Sequence, residues 1–325
     1  MKLFNVGILG CANIAVRYLA PSFQDHPEFR LIGFAGRDLI KTTEISKIFN
    51  CEGIQSYDKM IERSDIDLIY IPLPNSLHYE WVIKALKSGK HVLCEKSLGC
   101  SYYEVEEMVI EARKNNRLLI ENFQFRFHSQ HQFVKKLLSD GEIGFIRNFR
   151  ASFGFPPFSD QDNIRYKKDL GGGALLDAGA YTIKATQFIM GNGFHVDAAI
   201  QHIDKKMNID IYGGLFMKNS KGQLAELSYG FDNYYQCNYE IWGSKGKITA
   251  TRAYTAGPGF SPTIIFEKQD IYKTINLPSD NHFYNLLTHI ANCINLNDYE
   301  DEYLQNLQQA SNIEEAKNIS VKYLY

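Results

Sequence analysis

Residues 4–15, FNVGILGCANIA, decide the fold of this chain. An apolar run with the length of a buried strand ends at Gly10, and a helical stretch follows it. The run fits a degenerate G-x-G-x-x-G pattern in which Ala12 and Ala15 replace the second and third glycines. A tight turn at Gly10 followed by a small residue lets backbone N–H groups approach a pyrophosphate at the helix N-terminus.

This pattern predicts a dinucleotide site, although an ordinary strand–turn–helix can have the same sequence. The residues predicted to contact the cofactor here are Gly10, Ala12, Asn13 and Ile14.

The first 122 residues continue the alternation of strand-like and helix-like segments. Some of the runs are continuously apolar, as buried parallel strands tend to be. The alternation predicts a doubly wound parallel sheet, a Rossmann domain over residues 1–122. The further strand-like runs are LIGFAG (31–36), GIQSYD (53–58), DLIYIPLP (67–74), HVLCEK (91–96) and LLIENF (118–123).

Residues 123–325 have a different texture and predict a second domain, for substrate binding and oligomerisation. Alternating segments separated by hairpin-type turns, KNSKGQ (218–223) and GSKGK (243–247), indicate a mostly antiparallel sheet with helices, an α+β architecture. The segments are IRNFRASFGF (146–155), LAELSYGF (224–231), NYEIWGSKGKITATR (238–252) and TIIFEK (263–268).

Composition excludes several classes of function. The 325 residues carry a net charge of −2, with 35 Lys and Arg against 37 Asp and Glu, so nucleic acid and anionic membranes are not the expected partners. No run of about 18 apolar residues predicts a membrane span. Six scattered cysteines without a C-x-x-C pair indicate reduced thiols in a cytoplasmic protein and no zinc site. His282 and His289 share a helix face, but no neighbouring carboxylate or cysteine completes a metal set, so no metal is expected.

The end of the second strand bears on the choice of cofactor. Gly36 is followed by Arg37, the residue type that accommodates a 2′-phosphate, so NADP(H) is preferred. Asp38 leaves NAD(H) possible, because a shift of two residues would place its carboxylate on the ribose.

Lys96 lies at the carboxyl end of the fifth predicted strand, where ligands bind to an open parallel sheet. Downstream, three glycines precede a helical stretch in GGGALLDAGAY (171–181). Asp177 and Tyr181 are four residues apart, so they share one helix face. The glycines would let backbone approach a planar ring, and the alternative is a core helix in which Tyr181 is only packed.

The ordered stretches GILGCANIA (7–15), PLPNSLHYEWVIKALKSGKHVLCEKSLG (72–99) and LGGGALLDAGAY (170–181) resemble the Gfo/Idh/MocA oxidoreductases over essentially the whole chain. The resemblance implies a Rossmann domain, a C-terminal α/β domain with an open, largely antiparallel sheet, and a nicotinamide cofactor. It also implies a homodimer or homotetramer through the C-terminal sheet, since an uncovered apolar face would otherwise be exposed.

The resemblance implies catalytic roles for Lys96, Asp177 and Tyr181. Reduction of a ketone leaves an alkoxide that needs a proton, and a tyrosine, with an ordinary pKa near 10, donates it readily beside a cation. Lys96 supplies that cation and polarises the carbonyl, while Asp177 orients Lys96 or binds a sugar hydroxyl. Ser97 stands where the family usually has proline. Because proline fixes φ, its absence would loosen the turn that positions Lys96.

Further contacts are expected from residue type and position in the chain, and for His78 also from the resemblance. Arg126 and Arg165 are expected either to meet substrate charge, together with Lys96, Asp177 and Tyr181, or to lie on the surface. His78 either lies near the cofactor or is structural. The remaining expected cofactor contacts are Pro72, Pro74, Asn75, Glu95 and Lys96.

The expected function is NAD(P)-dependent reduction of a keto group on a carbohydrate. The tyrosine form is similar to the family branch that contains glucose–fructose oxidoreductase, dihydrodiol dehydrogenases and ketoreductases of nucleotide-linked deoxysugars. A nucleotide-linked keto-deoxysugar is the first substrate expectation, and a free sugar, polyol or trans-dihydrodiol is the alternative. A rival of another class is a cofactor-binding sensor without catalysis, which Ser97 favours and the intact Lys96, Asp177 and Tyr181 set opposes.

Overall fold

The computed structural model describes residues 2–160 and 162–325. Its contacts form two compact units, the first built from residues up to 122 together with 283–310, the second from 123–282 together with 311–325. The chain thus returns to the first unit after residue 282. The domain division predicted from the sequence, with a single boundary at residue 122, does not include this return. The mixed α/β fold class predicted from the sequence is confirmed.

The first unit contains a six-stranded parallel sheet in the order β3-β2-β1-β4-β5-β6. The order reverses between β1 and β4, and ligands of such sheets bind at this point, outside the carboxyl ends of the strands. All four residues of β4 are buried, which explains its continuous apolar run. The strands are β1 Phe4–Leu9, β2 Phe29–Ala35, β3 Glu52–Ile54, β4 Leu68–Ile71, β5 His91–Glu95 and β6 Leu119–Asn122.

Helices of the first unit begin where short polar side chains cap them. Asp38, Ser56 and Ser101 each accept a hydrogen bond from the backbone N–H three residues later. A wide turn of π-helix, Ala15–Leu19, precedes α1. Its hydrogen bond joins the N–H of Ala20 to the carbonyl of Ala15, five residues earlier. The helices are α1 Ala20–Asp25, α2 Leu39–Ile48, α3 Tyr57–Ile61, α4 Asn75–Lys87 and α5 Tyr102–Asn115.

The second unit contains a nine-stranded sheet in the order β14-β13-β12-β11-β7-β10-β9-β8-β15. Its pairs are antiparallel except β7 with β10 and β8 with β15. The strands are β7 Ile146–Gly154, β8 His195–Ile203, β9 Asp210–Lys218, β10 Leu224–Gly230, β11 Gln236–Gly243, β12 Lys247–Ala250, β13 Thr263–Lys268, β14 Ile271–Asn276 and β15 Val321–Leu324.

Both predicted hairpins are present, β9 to β10 through KNSKGQ and β11 to β12 through GSKGK. The sequence analysis did not identify β8, β9, β14 or β15. Two of these, β14 and β15, are edge strands that are largely solvent-exposed, so they lack the apolar alternation that marks a strand with one buried face.

Helix α7 packs on the inner face of this sheet, against β7 and β10. A wide turn, Leu175–Gly179, leads directly into it. The remaining elements are α6 Ser129–Ser139, α7 Ala180–Met190, α8 His282–Leu296, α9 Glu300–Ile319 and the short turns Gln124–Phe127, Ile164–Tyr166 and Lys168–Leu170.

The outer face of the nine-stranded sheet carries exposed apolar side chains. Trp242 on β11 is 52% exposed, and Ile200 on β8 and Tyr323 on β15 are similarly accessible. In the part of the chain that the structure describes, no helix combines the length and the apolar character needed to cross a membrane.

Candidate active site

An open cavity of about 410 Å³ lies at the carboxyl ends of β1 and β2 in the first unit. The conformation of Gly10, with φ of +102°, allows the tight turn that opens this space. The lining residues are Gly10, Cys11, Gly36, Arg37, Asp38, Lys41, Thr42 and Tyr57.

The polar groups around this cavity favour an anion. Arg37 and Lys41 bring two cationic side chains to its wall, and the Arg37 guanidinium interacts with the Tyr57 hydroxyl. Asp38 instead caps α2, since its Oδ1 accepts a hydrogen bond of 3.1 Å from the Lys41 backbone N–H. Burial raises the pKa of Tyr57 and of Cys11, so both remain neutral at pH 7. The cavity therefore fits a nucleotide that bears a phosphate.

Two of the predicted cofactor residues, Gly10 and Arg37, line this cavity. Ala12, Asn13 and Ile14 lie in the connection between β1 and the wide turn at Ala15–Leu19. Four lining residues were not predicted from the sequence: Cys11, Lys41, Thr42 and Tyr57. Asp38 is a typical helix-capping residue, and such a cap predicts that Lys41 and Thr42 lie in the first turn of α2, beside the end of β2. Tyr57 follows the very short β3, which gives no such signal.

Lys96 directly follows β5, as predicted, and the Lys96–Ser97 peptide bond is cis. Buried His78 connects this turn to the loop after β4. Its Nδ1 lies 2.8 Å from the carbonyl oxygen of Ser97, and its Nε2 lies 2.8 Å from that of Leu73. Burial lowers the pKa of His78, so the neutral ring donates to one carbonyl at a time.

The turn has a second anchor. Glu121 on β6 accepts a hydrogen bond of 2.8 Å from the backbone N–H of Leu98. Ser97 is itself buried, with 1% of its surface exposed. The side chain that replaces the family proline therefore lies in a turn held from both sides, by His78 and by Glu121.

Glu95 faces its neighbours in the sheet. Its Oε1 accepts hydrogen bonds from the Tyr70 hydroxyl at 2.6 Å and from Asn122 Nδ2 at 2.5 Å. Burial raises the pKa of Glu95 above its ordinary value, although both hydrogen bonds act in the opposite direction. The predicted cofactor contacts of Glu95, His78, Asn75, Pro72 and Pro74 stay predictions.

In the second unit, the sequence-predicted residues Arg165 and Asp177 meet. Arg165 Nε donates a 2.7 Å hydrogen bond to Asp177 Oδ2, and the Asp177 side chain is only 15% exposed. Asp177 belongs to the wide turn, in which the N–H of Ala180 bonds to the carbonyl of Leu175, five residues earlier. Such turns occur often at functional sites.

The glycines before this turn have partners inside the second unit. A Cβ at Gly172 would lie 2.4 Å from the carbonyl oxygen of Arg165, and one at Gly173 would lie 2.3 Å from Asp210 Oδ1. Gly173 also has φ of +122°, which side chains rarely adopt. These close approaches explain why glycine is needed at both positions, without the approach of backbone to a planar ring that was predicted from the sequence.

Tyr181 is the second residue of α7, and 8% of its surface is exposed. Its ring packs edge-on against Phe123 and Phe153, with centroids 5.3 and 5.0 Å away, and is tilted against Tyr254 at 5.7 Å. These contacts restrict the ring to one orientation. Lys96 belongs to the first unit, while Asp177 and Tyr181 belong to the second.

Arg126 is buried, with 5% of its surface exposed, so the surface position considered for it is wrong. Its guanidinium lies over the ring of Phe127, 4.9 Å from the centroid. A substrate contact from Arg126 stays a prediction.

His289 on α8 has two polar neighbours: Glu302 Oε1 lies 2.8 Å from its Nε2, and Cys293 Sγ lies 3.5 Å away. Among the described residues, no group of three or more His, Cys, Asp and Glu side chains is arranged to hold a metal ion. The pKa of His289 is about 9, because hydrogen bonds with Cys293 and Glu302 outweigh the effect of burial, which alone lowers it. Helix α9 supplies Glu302, a contact that sequence spacing within α8 cannot reveal.

Comparison with known protein families gives two matches along the chain. Residues 4–123 match the model described as an oxidoreductase family with an NAD-binding Rossmann fold. Residues 131–249 match the model of the GFO/IDH/MocA C-terminal domain.

Individual proteins are similar over most of their length. The chain is 38% identical to a dTDP-3,4-didehydro-2,6-dideoxy-alpha-D-glucose 3-reductase of Saccharopolyspora spinosa, over 89% of this chain and 87% of that protein. A crystal structure of a 3-ketoreductase from Actinomadura kijaniata, in complex with NADP and TDP-benzene, is 33% identical over 100% of both chains with a TM-score of 0.96. A trans-1,2-dihydrobenzene-1,2-diol dehydrogenase of Xenopus laevis is 36% identical over 68% of this chain and 67% of that protein.

Replacement of His78 by Ala should destabilise the first unit. The substitution leaves the buried carbonyls of Leu73 and Ser97 without the imidazole, which costs about 1–3 kcal/mol. Urea unfolding of His78→Ala and the parent protein measures this change. The matched control is His195→Ala, whose 68% exposed side chain makes a surface contact of 3.3 Å between Nδ1 and Glu315 Oε1, worth less than about 1 kcal/mol. Equal losses in the two variants would contradict a special role for His78.

Proposed function

This chain belongs to the Gfo/Idh/MocA family of oxidoreductases, and on that premise we propose that it reduces the 3-keto group of a dTDP-linked keto-deoxysugar with NADPH. The observation that carries the proposal is similarity to 3-ketoreductases over nearly their whole length, combined with an intact Lys96, Asp177 and Tyr181 set.

The proposed chemistry assigns a proton donor and an electrostatic partner. Bound NADPH supplies the hydride that reduces the carbonyl carbon. Tyr181 donates its phenolic proton to the oxygen that becomes the alcohol. The Lys96 ammonium polarises the carbonyl and stabilises the phenolate left on Tyr181. The packed ring of Tyr181 supports this role, because a proton donor must be held in one orientation.

Asp177 is proposed to orient this pair or to bind a sugar hydroxyl. Arg165 holds its Oδ2, which fixes the direction of the carboxylate. Asp177 and Tyr181 both carry hydrogen-bonding groups near the start of α7, which suits a substrate with several hydroxyl groups. The predicted substrate contacts of Arg165 and Arg126 belong to the same proposal.

The proposed cofactor is NADP(H), with its adenosine end in the cavity beside β1 and β2. Arg37 and Lys41 would hold the 2′-phosphate, with Tyr57 supporting the guanidinium. The cap on α2 occupies the Asp38 carboxylate, which weakens the case for a ribose contact and for NAD(H). Gly10 and the residues Ala12, Asn13 and Ile14 would lie along the pyrophosphate.

A free sugar, polyol or trans-dihydrodiol remains the alternative substrate, supported by the similarity to a dihydrodiol dehydrogenase. A sensor without catalysis remains the rival of another class. The homodimer or homotetramer through the C-terminal sheet stays a prediction, and the exposed apolar side chains of its outer face support it.

Replacement of Tyr181 by Phe should lower kcat by about 100- to 10,000-fold, the usual contribution of a positioned acid. The NADPH dissociation constant should stay the same, because Tyr181 belongs to the second unit. Steady-state assays and cofactor titration measure the two quantities. Tyr254→Phe is the control, since it removes another buried hydroxyl from the same aromatic cluster. Undiminished turnover in Tyr181→Phe would show that the acid is another group.

Replacement of Arg37 or Lys41 by Ala should weaken NADPH binding about 10- to 150-fold, the value of a hydrogen bond to a charged group. NADH affinity should change little, because NADH lacks the 2′-phosphate. Fluorescence titration with both cofactors gives the comparison, and Arg30→Ala serves as the control, because Arg30 is an exposed arginine on β2, the strand that precedes Arg37. Equal loss for NADH and NADPH would contradict a 2′-phosphate contact.

dTDP should raise the melting temperature of the NADPH-bound protein, whereas free sugars should not. Binding to the folded state at 100 times the dissociation constant stabilises it by about 2.7 kcal/mol. A thermal-shift series with dTDP, UDP, GDP and CDP identifies the nucleotide. No shift with any of them, despite tight NADPH binding, would move the assignment to free sugars, polyols or dihydrodiols.

A further inference from the structure

Asp210, at the start of β9, binds the beginning of the segment that carries Asp177 and Tyr181. Its Oδ2 accepts a 2.6 Å hydrogen bond from the backbone N–H of Leu175, the first residue of the wide turn. Its Oδ1 faces Gly173, where a Cβ would come within 2.3 Å of it. The same carboxylate thus bonds the first residue of the turn and lies close against the glycine before it.

A short series of hydrogen bonds connects this anchor to Asp177. The N–H of Gly173 donates to the carbonyl of Arg165 at 3.0 Å, and the Asp177 N–H donates to the carbonyl of Gly173 at 3.2 Å. The Arg165 side chain then binds Asp177 Oδ2 at 2.7 Å. A shift of Gly173 would therefore move both the backbone and the ion-pair partner of Asp177.

We propose that Asp210 is a positioning residue for catalysis, which sets the placement of Asp177 and Tyr181 by its hydrogen bond to the backbone of Leu175 and its close packing against Gly173. The inference rests on the proposed roles of Asp177 and Tyr181. Asp210 acts through the helix start, because its carboxylate is bonded to the backbone N–H of Leu175.

The surroundings of Asp210 make its charge costly. Burial raises the pKa of Asp210 to about 6, although the hydrogen bond from Leu175 and the charges of Lys317 and Lys322 act in the opposite direction. Tyr229 on β10 also faces the carboxylate, and burial followed by the charge of Asp210 keeps the pKa of its phenol well above the ordinary value. A neutral Asn has an oxygen that can accept the same bond, so Asp210→Asn should retain the anchor.

The experiment compares Asp210→Ala, Asp210→Asn and a matched control in the full-length protein. The control is Asp204→Ala, in the β8–β9 connection that precedes Asp210, because Asp204 Oδ1 also accepts backbone hydrogen bonds, from Lys206 and Met207 at 2.8 Å. Asp210→Ala should lower kcat about 10- to 100-fold, the effect of a displacement near 1 Å, with NADPH affinity unchanged. Asp210→Asn should restore most of kcat, and Asp204→Ala should leave it unchanged.

Two further measurements separate positioning from simple stability. Hydrogen exchange of the amides in residues 173–179 should accelerate in Asp210→Ala but not in Asp204→Ala. The losses of kcat in Asp210→Ala and Asp177→Asn should also be non-additive in the double variant, because one residue acts through the other.

Three results would overturn the proposal: unchanged exchange, faster exchange with unchanged kcat, or additive losses in the double variant. Full turnover by Tyr181→Phe would overturn the proposed acid instead, and the exchange measurement would still report whether Asp210 anchors the turn.

Discussion

Parallel strands place their carboxyl ends along one edge of a sheet, and the first unit depends on this constraint. Gly10, Arg37, Pro72 and Lys96 are distant in sequence, yet each follows a strand of the same sheet. The reversal of strand order between β1 and β4 opens space at that edge. A cavity with cationic walls lies at the same edge, at the carboxyl ends of β1 and β2.

In the second unit, the main structural feature is the support of the N-terminal end of α7. Here the inner face of an open sheet supplies the support. Helix α7 packs on β7 and β10, the aromatic neighbours of Tyr181 restrict its ring, and Asp210 holds the turn before it. Rigid support of this kind is what a proton donor requires, because misplacement by a fraction of a hydrogen-bond length costs rate.

Predictability differed between the two units for physical reasons. Buried parallel strands such as β4 are continuously apolar, so the sequence pattern predicts the alternating strands and helices of the first unit. Edge strands such as β14 and β15 bury little and carry no comparable pattern. The effect of Ser97 was also beyond the sequence, since His78 and Glu121, which hold its turn, are 19 and 23 residues from their hydrogen-bond partners.

The sequence alone determined the alternation of strands and helices in residues 1–122, the fold class and the family, because these depend on local patterns and on motifs read in order. It also predicts roles for Arg37, Lys96, Asp177 and Tyr181, since each stands at a recognisable place in such a motif. Only the tertiary structure decided that Arg165 binds Asp177, that Asp38 caps α2, and that Asp210, 35 residues from Leu175, anchors the helix start. Contacts of that last kind depend on how distant segments pack, and a linear pattern carries no information about the side chain that fills a particular space.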